Sequence, residues 1–350
     1  MTQTFTVDDI ELIPQYGVLQ SRSDAQLRPF IFSAPMDTVT GYELTKSMLE
    51  IGEQPVVCRY LPAAYELCLK EFGANPNCWF AVGNLESLKE LLRLLEKLDN
   101  EGTLPDDLAL NIAIDIAHGD SVTAKSVADY LIKQPFVKQL MSGSICTPDA
   151  AIRSIDWGCT YLRVGVGPGS VCTTRIQTGF GVSQAWAVEQ IARKVDREAF
   201  VIADGGIRQP GDACKYLALG ADHVMLGRAL SRTKESAGWE IDLGYRETEG
   251  GLLLKAGEPQ MIKRYRGQAS ASFQTEVLNK IPGAAEGATT GYFTPFGTVK
   301  QVCEEYRSAL RSAISYSGHS SLDEFSGGVR YIRCTGSAAS EAKPHGLTAA

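Results

Sequence analysis

Short apolar runs rich in β-branched residues recur along this chain, with longer amphipathic segments between them. Such a run bounded by turn residues reads as a buried strand, and apolar positions spaced three and four apart read as a helix. Strands are therefore expected at Phe30–Ala34, Pro55–Cys58, Cys78–Val82, Ala109–Ile116, Val137–Ser142, Tyr161–Val164, Phe200–Ala203 and His223–Leu226. Helices are expected at Gly41–Ile51, Leu85–Leu98, Ser121–Lys133, Thr147–Ile155, Ser183–Val195 and Gly211–Leu219. This alternation spells an α/β fold, and a (β/α)8 TIM barrel better than a doubly wound sheet. The Rossmann alternative lacks its signature, because no G-x-G-x-x-G follows an early strand.

After the eighth strand the alternation stops. Glu240–Glu258 reads as a charged excursion, a hairpin with Gly250-Gly251 at its turn. Ala269–Thr294 is rich in Ala, Gly, Ser and Thr, which suits a mobile flap, spanning about residues 264–296, better than a packed element. Val299–Ser315 follows as an amphipathic helix and Tyr331–Arg333 as a short strand, and the small, polar tail 336–350 is expected to be disordered. The chain thus reads as one catalytic domain over residues 1–335.

Its 350 residues suffice for a full barrel core. A net charge of −7, with no Lys/Arg run forming a basic stripe, argues against nucleic acid as a partner, so any phosphate must be met locally. Residues 1–14 carry acids where a signal peptide would be apolar, and no apolar run approaches a membrane span. The nine cysteines are scattered without a C-x-x-C pair, so neither a disulfide framework nor a zinc site follows, and a reducing cytoplasm is the expected compartment. The four histidines do not cluster at metal-ligand spacing.

The candidate chemistry centres on Gly165-Val166-Gly167-Pro168-Gly169-Ser170-Val171-Cys172-Thr173-Thr174-Arg175. Three glycines and a proline make a loop, and Cys172 at its tip has backbone dipoles and a cation at hand to favour the thiolate. That describes a nucleophile; a buried structural thiol is the alternative. Barrel enzymes gather chemistry on the loops after the strands and bind phosphate after strands 7 and 8. Asp204-Gly205-Gly206 closes strand 7 and Gly227-Arg228 closes strand 8. Glycines there let backbone N–H groups approach an anion and Asp204 can accept from ribose hydroxyls, so a 5′-nucleotide is the natural ligand. Asp115 to Gly119 and Ser142 to Ser144 should face the same mouth; His118 there could be a general base or a solvated loop residue.

The cysteine loop, Ser33-Ala34-Pro35-Met36-Asp37-Thr38-Val39-Thr40, Ile202-Ala203-Asp204-Gly205-Gly206-Ile207 and Val224-Met225-Leu226-Gly227 together resemble the IMP dehydrogenase and GMP reductase family. The resemblance runs from about Phe5 to about Thr335. It implies a barrel in which Cys172 adds to purine C2 and hydride passes between C2 and a nicotinamide cofactor. Only about twenty residues separate strands 2 and 3, leaving no room for the regulatory module that many IMP dehydrogenases insert there. Between Arg266 and Glu286 the flap has no Arg or Tyr to activate water, whereas Pro168, Thr173-Thr174-Arg175 and Ser21-Arg22-Ser23 look like GMP reductase.

By that resemblance Cys172, Thr174 and Glu286 are catalytic. Ser170, Asp204, Gly205, Gly206, Gly227, Arg228, Tyr265, Gly267, Gln268 and Gly287 are expected to bind substrate. Ser21, Arg22, Arg59, Asp115, Ile116, Ala117, Val166, Gly167, Ser312 and Ser315 are expected to meet NADPH. Backbone carbonyls of Gly167, Gly169, Cys172 and Arg175 are expected to hold a potassium ion, and a homotetramer is implied. Gln268-Ala269, Gly283, Ser144 and Arg228 depart from the family pattern. The implied reaction is reductive deamination of GMP to IMP. IMP oxidation, reduction of a modified purine nucleotide, and a barrel that binds a nucleotide without turning it over are the alternatives.

Overall fold

The computed structural model describes residues 4–242, 245–247, 253–255, 260–282, 285–293, 296–336 and 338. Eight parallel strands form one sheet: Ile31–Ser33, Val56–Val57, Trp79–Val82, Leu110–Ile114, Val137–Ile145, Tyr161–Val164, Phe200–Asp204 and His223–Leu226. The first strand pairs with the eighth, Ile31 opposite Val224. It meets the second through a bridge from Phe32 to Gln54, with Ser33 N–H donating to Gln54 O at 3.2 Å, and the sheet closes into a barrel.

All eight expected strands are present: the first four are trimmed by one to three residues, the fifth runs on to Ile145 and the seventh to Asp204. The expected helices are observed as Tyr42–Glu50, Leu85–Asn100, Val122–Leu131, Pro148–Asp156, Gln184–Val195 and Pro210–Ala218. Local chemistry sets where several begin. Asn84, Ser121 and Thr147 each accept an N–H from the first turn, and Pro148 and Pro210 occupy first-turn positions where a missing N–H costs nothing. The spacer after strand 2 is itself a helix, Pro62–Phe72, which also starts on a proline.

Inward positions from all eight strands fill the barrel. Phe32 meets Trp79, Tyr161 and His223 edge-on, with ring centroids 5.8, 6.1 and 5.2 Å away. Burial holds His223 well below the usual histidine range, so it is a neutral packing group. The outward faces pack on the helices through Leu88, Leu91, Val127, Leu131, Val188 and Ile191, among others.

Beyond the eighth strand, Trp239–Asp242 pairs antiparallel with Gln260–Arg266, which pairs with Thr289–Phe293. Tyr245–Glu247 pairs with Leu253–Lys255 as the expected hairpin requires, though its Gly250-Gly251 turn lies outside the described residues. The stretch expected as a flap lacking packed elements contains the helix Ala271–Glu276 and the strand Thr289–Phe293. Phe273 supplies the reason: this fully buried ring packs edge-on against Tyr60 at 4.8 Å, anchoring a helix that small residues alone would not hold. Gly283 and most of the tail 336–350 lie outside the described residues. The helix Val299–Ser317 packs on Pro210–Ala218, and Tyr331–Arg333 pairs with an N-terminal strand, Ile10–Leu12. No helix among the described residues is long and apolar enough to cross a membrane.

Candidate functional site

The loops at the C-terminal ends of the strands surround a cavity of about 540 Å³. The cysteine loop forms one wall. Gly165 has φ 157°, and a Cβ there would lie 2.1 Å from Asp204 O, so only glycine lets the sixth strand leave the sheet beside the seventh. Cys172 is half-buried at the cavity, and its thiol donates to Thr174 Oγ1 at 3.2 Å. Glu286 O lies 3.8 Å from the same sulfur.

Glu286 reaches that wall through backbone pairing. Thr173 N–H donates to Glu286 O at 2.9 Å, Ala288 N–H to Val171 O at 2.7 Å, and Glu286 N–H to Ala269 O at 3.1 Å. Three segments thus lie side by side. Gly267 and Gly287 permit the approach, since a Cβ on Gly287 would sit 2.9 Å from Ser270 N. Gly287 helps build the site in this way without lining the cavity.

Packed beside that loop, Asp204, Gly205, Gly206, Gly227 and Arg228 line the cavity with Ser170 and Tyr265. Gly205 and Gly206 have φ 91° and 74°, left-handed backbone that turns the chain sharply after the seventh strand. Tyr265 is buried with its hydroxyl 3.0 Å from where a Cβ on Gly227 would sit. Burial pushes its hydroxyl up to about 12, with a Ser170 hydrogen bond pulling the other way, so it stays protonated and can donate to an anion. Its neighbours fix it: Arg266 pairs with buried Asp37 at 2.6 Å and with Glu276 at 2.7 Å, and Arg264 pairs with Glu276 at 2.9 Å. Gln268 lines the cavity with its amide nitrogen donating to Pro35 O.

The remaining side is ionic. Arg59 stacks over Tyr60 at 4.0 Å and donates to Asp115 O at 3.3 Å. Arg163, which the sequence reading did not single out, is 5% exposed, donates to Asp115 Oδ1 at 2.9 Å and pairs with Asp204 Oδ2 at 3.1 Å. Burial opposes its charge, but Asp115 and Asp204 outweigh burial and hold Arg163 above the usual guanidinium range. Burial raises Asp204, against the pull of Arg163. The signal was present, since Arg163 shares the inward parity of Tyr161 in a short apolar strand, where a charge needs a reason. Tyr60, Met36 and Arg208 also line the cavity without having been anticipated.

Of the other expected residues, Arg59, Asp115, Ala117, Val166, Gly167, Gly169, Thr174, Gly267, Gln268 and Glu286 line the cavity. Ile116 does not; it packs against the outer core. Ser21, Arg22, Ser312 and Ser315 lie outside it, in a surface cluster where Arg22 donates to Ser312 Oγ at 3.3 Å and to the Tyr316 hydroxyl at 2.9 Å. His118 is exposed.

Among the described residues no group of three or more His, Cys, Asp or Glu could hold a metal ion, so an ion here would have to be held by carbonyls. Gly169 O accepts from Cys172 N–H at 3.0 Å and Arg175 O from Gly179 N–H at 3.1 Å, which leaves each one lone pair. That donor chemistry suits a weakly charged cation. The Arg175 guanidinium itself is turned to Val166 O and Val182 O.

The sequence pattern described as IMP dehydrogenase / GMP reductase domain matches residues 103–345. A GMP reductase of Bacillus licheniformis is 30% identical over 334 residues, covering 92% of this chain and 94% of that one. A GMP reductase of Lysinibacillus sphaericus is 30% identical over 335 residues, with the same coverage. An inosine-5′-monophosphate dehydrogenase of Thermoplasma acidophilum is 34% identical over 247 residues, 67% of this chain and 47% of that one. With a cysteine-bearing barrel mouth of this kind and a likeness that runs along nearly the whole chain, the protein belongs to the IMP dehydrogenase/GMP reductase family and is an oxidoreductase.

Proposed function

We propose that this enzyme acts on purine nucleotides as a GMP reductase, converting GMP with NADPH and two protons to IMP, NADP and ammonium. The observation that carries the reading is the Cys172 thiol 3.2 Å from the Thr174 hydroxyl, with Glu286 on the same wall. Cys172 Sγ adds to C2 of the base, the 2-amino group leaves as ammonia after Thr174 and Glu286 hand it a proton, and C2 is then reduced and the thiolate expelled. The nicotinamide cofactor supplies the hydride for that reduction. Asp204 accepts from the ribose hydroxyls. The glycines at 205, 206 and 227, with Ser170, Arg228 and the Tyr265 hydroxyl, take the 5′-phosphate; Gly267 and Gln268 border the base, with Gly287 supporting that wall from behind.

Arg59, Asp115, Ala117, Val166 and Gly167 would hold the nicotinamide end of the cofactor on the ionic side of the cavity. The Ser21, Arg22, Ser312 and Ser315 cluster would meet its far end across a subunit boundary in a homotetramer. Potassium on the carbonyls of Gly167, Gly169, Cys172 and Arg175 would stiffen the cysteine loop.

Purified protein with GMP, potassium and NADPH tests this, by NADPH absorbance with ammonia assayed in parallel. Equal NADPH loss and ammonia release, abolished by Cys172→Ala, is the expected result. NADH formation from IMP and NAD, with no reaction of GMP, would reassign the enzyme as a dehydrogenase. A second reading, a reductase for a modified purine, is favoured by the Gln268 amide pinned at the base side, and turnover confined to such nucleotides would establish it.

A further inference from the structure

Arg163 is a single buried guanidinium touching two carboxylates that come from the ends of the fourth and seventh strands. Its Nη2 donates to Asp115 Oδ1 at 2.9 Å and to Ser144 Oγ at 3.0 Å. Its Nε lies 3.1 Å from Asp204 Oδ2 but makes no hydrogen bond there, so this second pairing is an ion contact without the geometry of a locked fork. Several atoms of the array are buried without hydrogen-bond partners among the described residues: Arg163 Nε and Nη1, Asp115 Oδ2 and Arg59 Nε. Buried polar groups are normally satisfied, so such a cluster at a cavity wall is an arrangement that ligands complete. Gly143 makes the crossing possible, because a Cβ there would lie 2.7 Å from Arg163 Cβ and 2.8 Å from its Nε.

We infer that Arg163 is a positioning residue that couples nucleotide binding at Asp204 to cofactor binding at Asp115. The inference rests on the functional reading above. Ribose hydroxyls donating to Asp204 draw that carboxylate toward the nucleotide. The Arg163 guanidinium, no longer divided between two acids, then holds Asp115 in one orientation, with Oδ2, which faces Arg59 Nη2 at 3.6 Å without a hydrogen bond, turned to accept from the second ligand. A preorganised acceptor binds more tightly, and by linkage the cofactor strengthens nucleotide binding by the same factor.

The test is titration of the full-length protein with IMP and with NADP, each alone and each with the other saturating, a pair that cannot turn over without ammonia. The wild type should bind each ligand about 10-fold more tightly in the presence of the other, within the usual range of coupling. Arg163→Lys keeps a buried cation but loses the planar reach to both acids. It should abolish the coupling while leaving each separate dissociation constant within about 3-fold. Gly143→Ala, which displaces the guanidinium without removing charge, should weaken the coupling in the same sense. Separate binding of both ligands with no mutual effect in the wild type, or coupling retained in Arg163→Lys, would overturn the inference alone. Failure of the wild type to bind IMP would overturn it together with the functional reading.

Discussion

The Cys172 thiol donates to the Thr174 hydroxyl across 3.2 Å, on a loop whose next residue, Thr173, is bonded through its backbone to Glu286. The proposed nucleophile and the segments carrying both proposed proton-handling groups are therefore held beside one another by main-chain contacts. Cys172→Ala should abolish turnover and Thr174→Val should lower kcat by about 10²–10⁴, the usual worth of a positioned acid–base group. Iodoacetamide labelling at Cys172, read by mass spectrometry, should be blocked by bound nucleotide in the Thr174 variant as in the wild type, because the sulfur stays in place.

Glu286→Gln keeps the backbone bonds to Thr173 and Ala269, since neither uses the side chain. Its effect should fall on kcat, again about 10²–10⁴-fold, with KM for the nucleotide within a few-fold of wild type. A change confined to KM in steady-state assays would show that the carboxylate binds and does not transfer protons.

Burial raises the Asp204 carboxyl above the ordinary aspartate range, with Arg163 opposing it. The proton is thus taken up at a higher pH than by a free aspartate, and the protonated group loses acceptor strength toward the ribose. Nucleotide affinity should fall on acidification, starting above the pH at which an unperturbed carboxyl would titrate, while a ligand lacking both ribose hydroxyls should lose this pH dependence. Equilibrium titrations across the acid range measure it.

Lys263 is fully buried, its ammonium donating to Ser236 O at 2.5 Å and Lys234 O at 3.1 Å and lying 3.6 Å from the Trp239 ring centre. Burial depresses it to about 7, with Glu235 opposing. The unfolded chain keeps this proton up to the ordinary lysine range near 10.4. Between those values the unfolded state binds more protons, so this group makes stability rise with pH from about 7 upward and adds nothing further above the lysine range. Lys263→Met should flatten that slope in denaturant unfolding at neutral and alkaline pH.

The barrel was legible because each strand and helix is announced locally, by runs such as Trp79–Val82 and by caps such as Asn84 and Thr147. The helix Ala271–Glu276 was not, because its stability comes from Phe273 seated against Tyr60, a residue more than two hundred positions away. Among site residues, glycines with left-handed φ and the cysteine loop stand out in any reading of the sequence. Arg163 is marked only as a charge in an apolar strand, and nothing in the sequence says which acids it will meet.

What the sequence alone determined, then, was the alternation that makes a barrel, the order of its loops around the mouth, and a cysteine on flexible backbone beside threonines. Those are properties of neighbours in the chain, set by periodicity and by the steric freedom of glycine. What only the tertiary structure decided was the meeting of distant groups: Glu286 with Cys172, 114 residues apart, and Asp115 with Asp204 through one guanidinium. Closing the sheet brings strands four, six and seven to one mouth, and burial there turns ordinary charges into a paired array. Neither closure nor burial is a local property, and the chemistry depends on both.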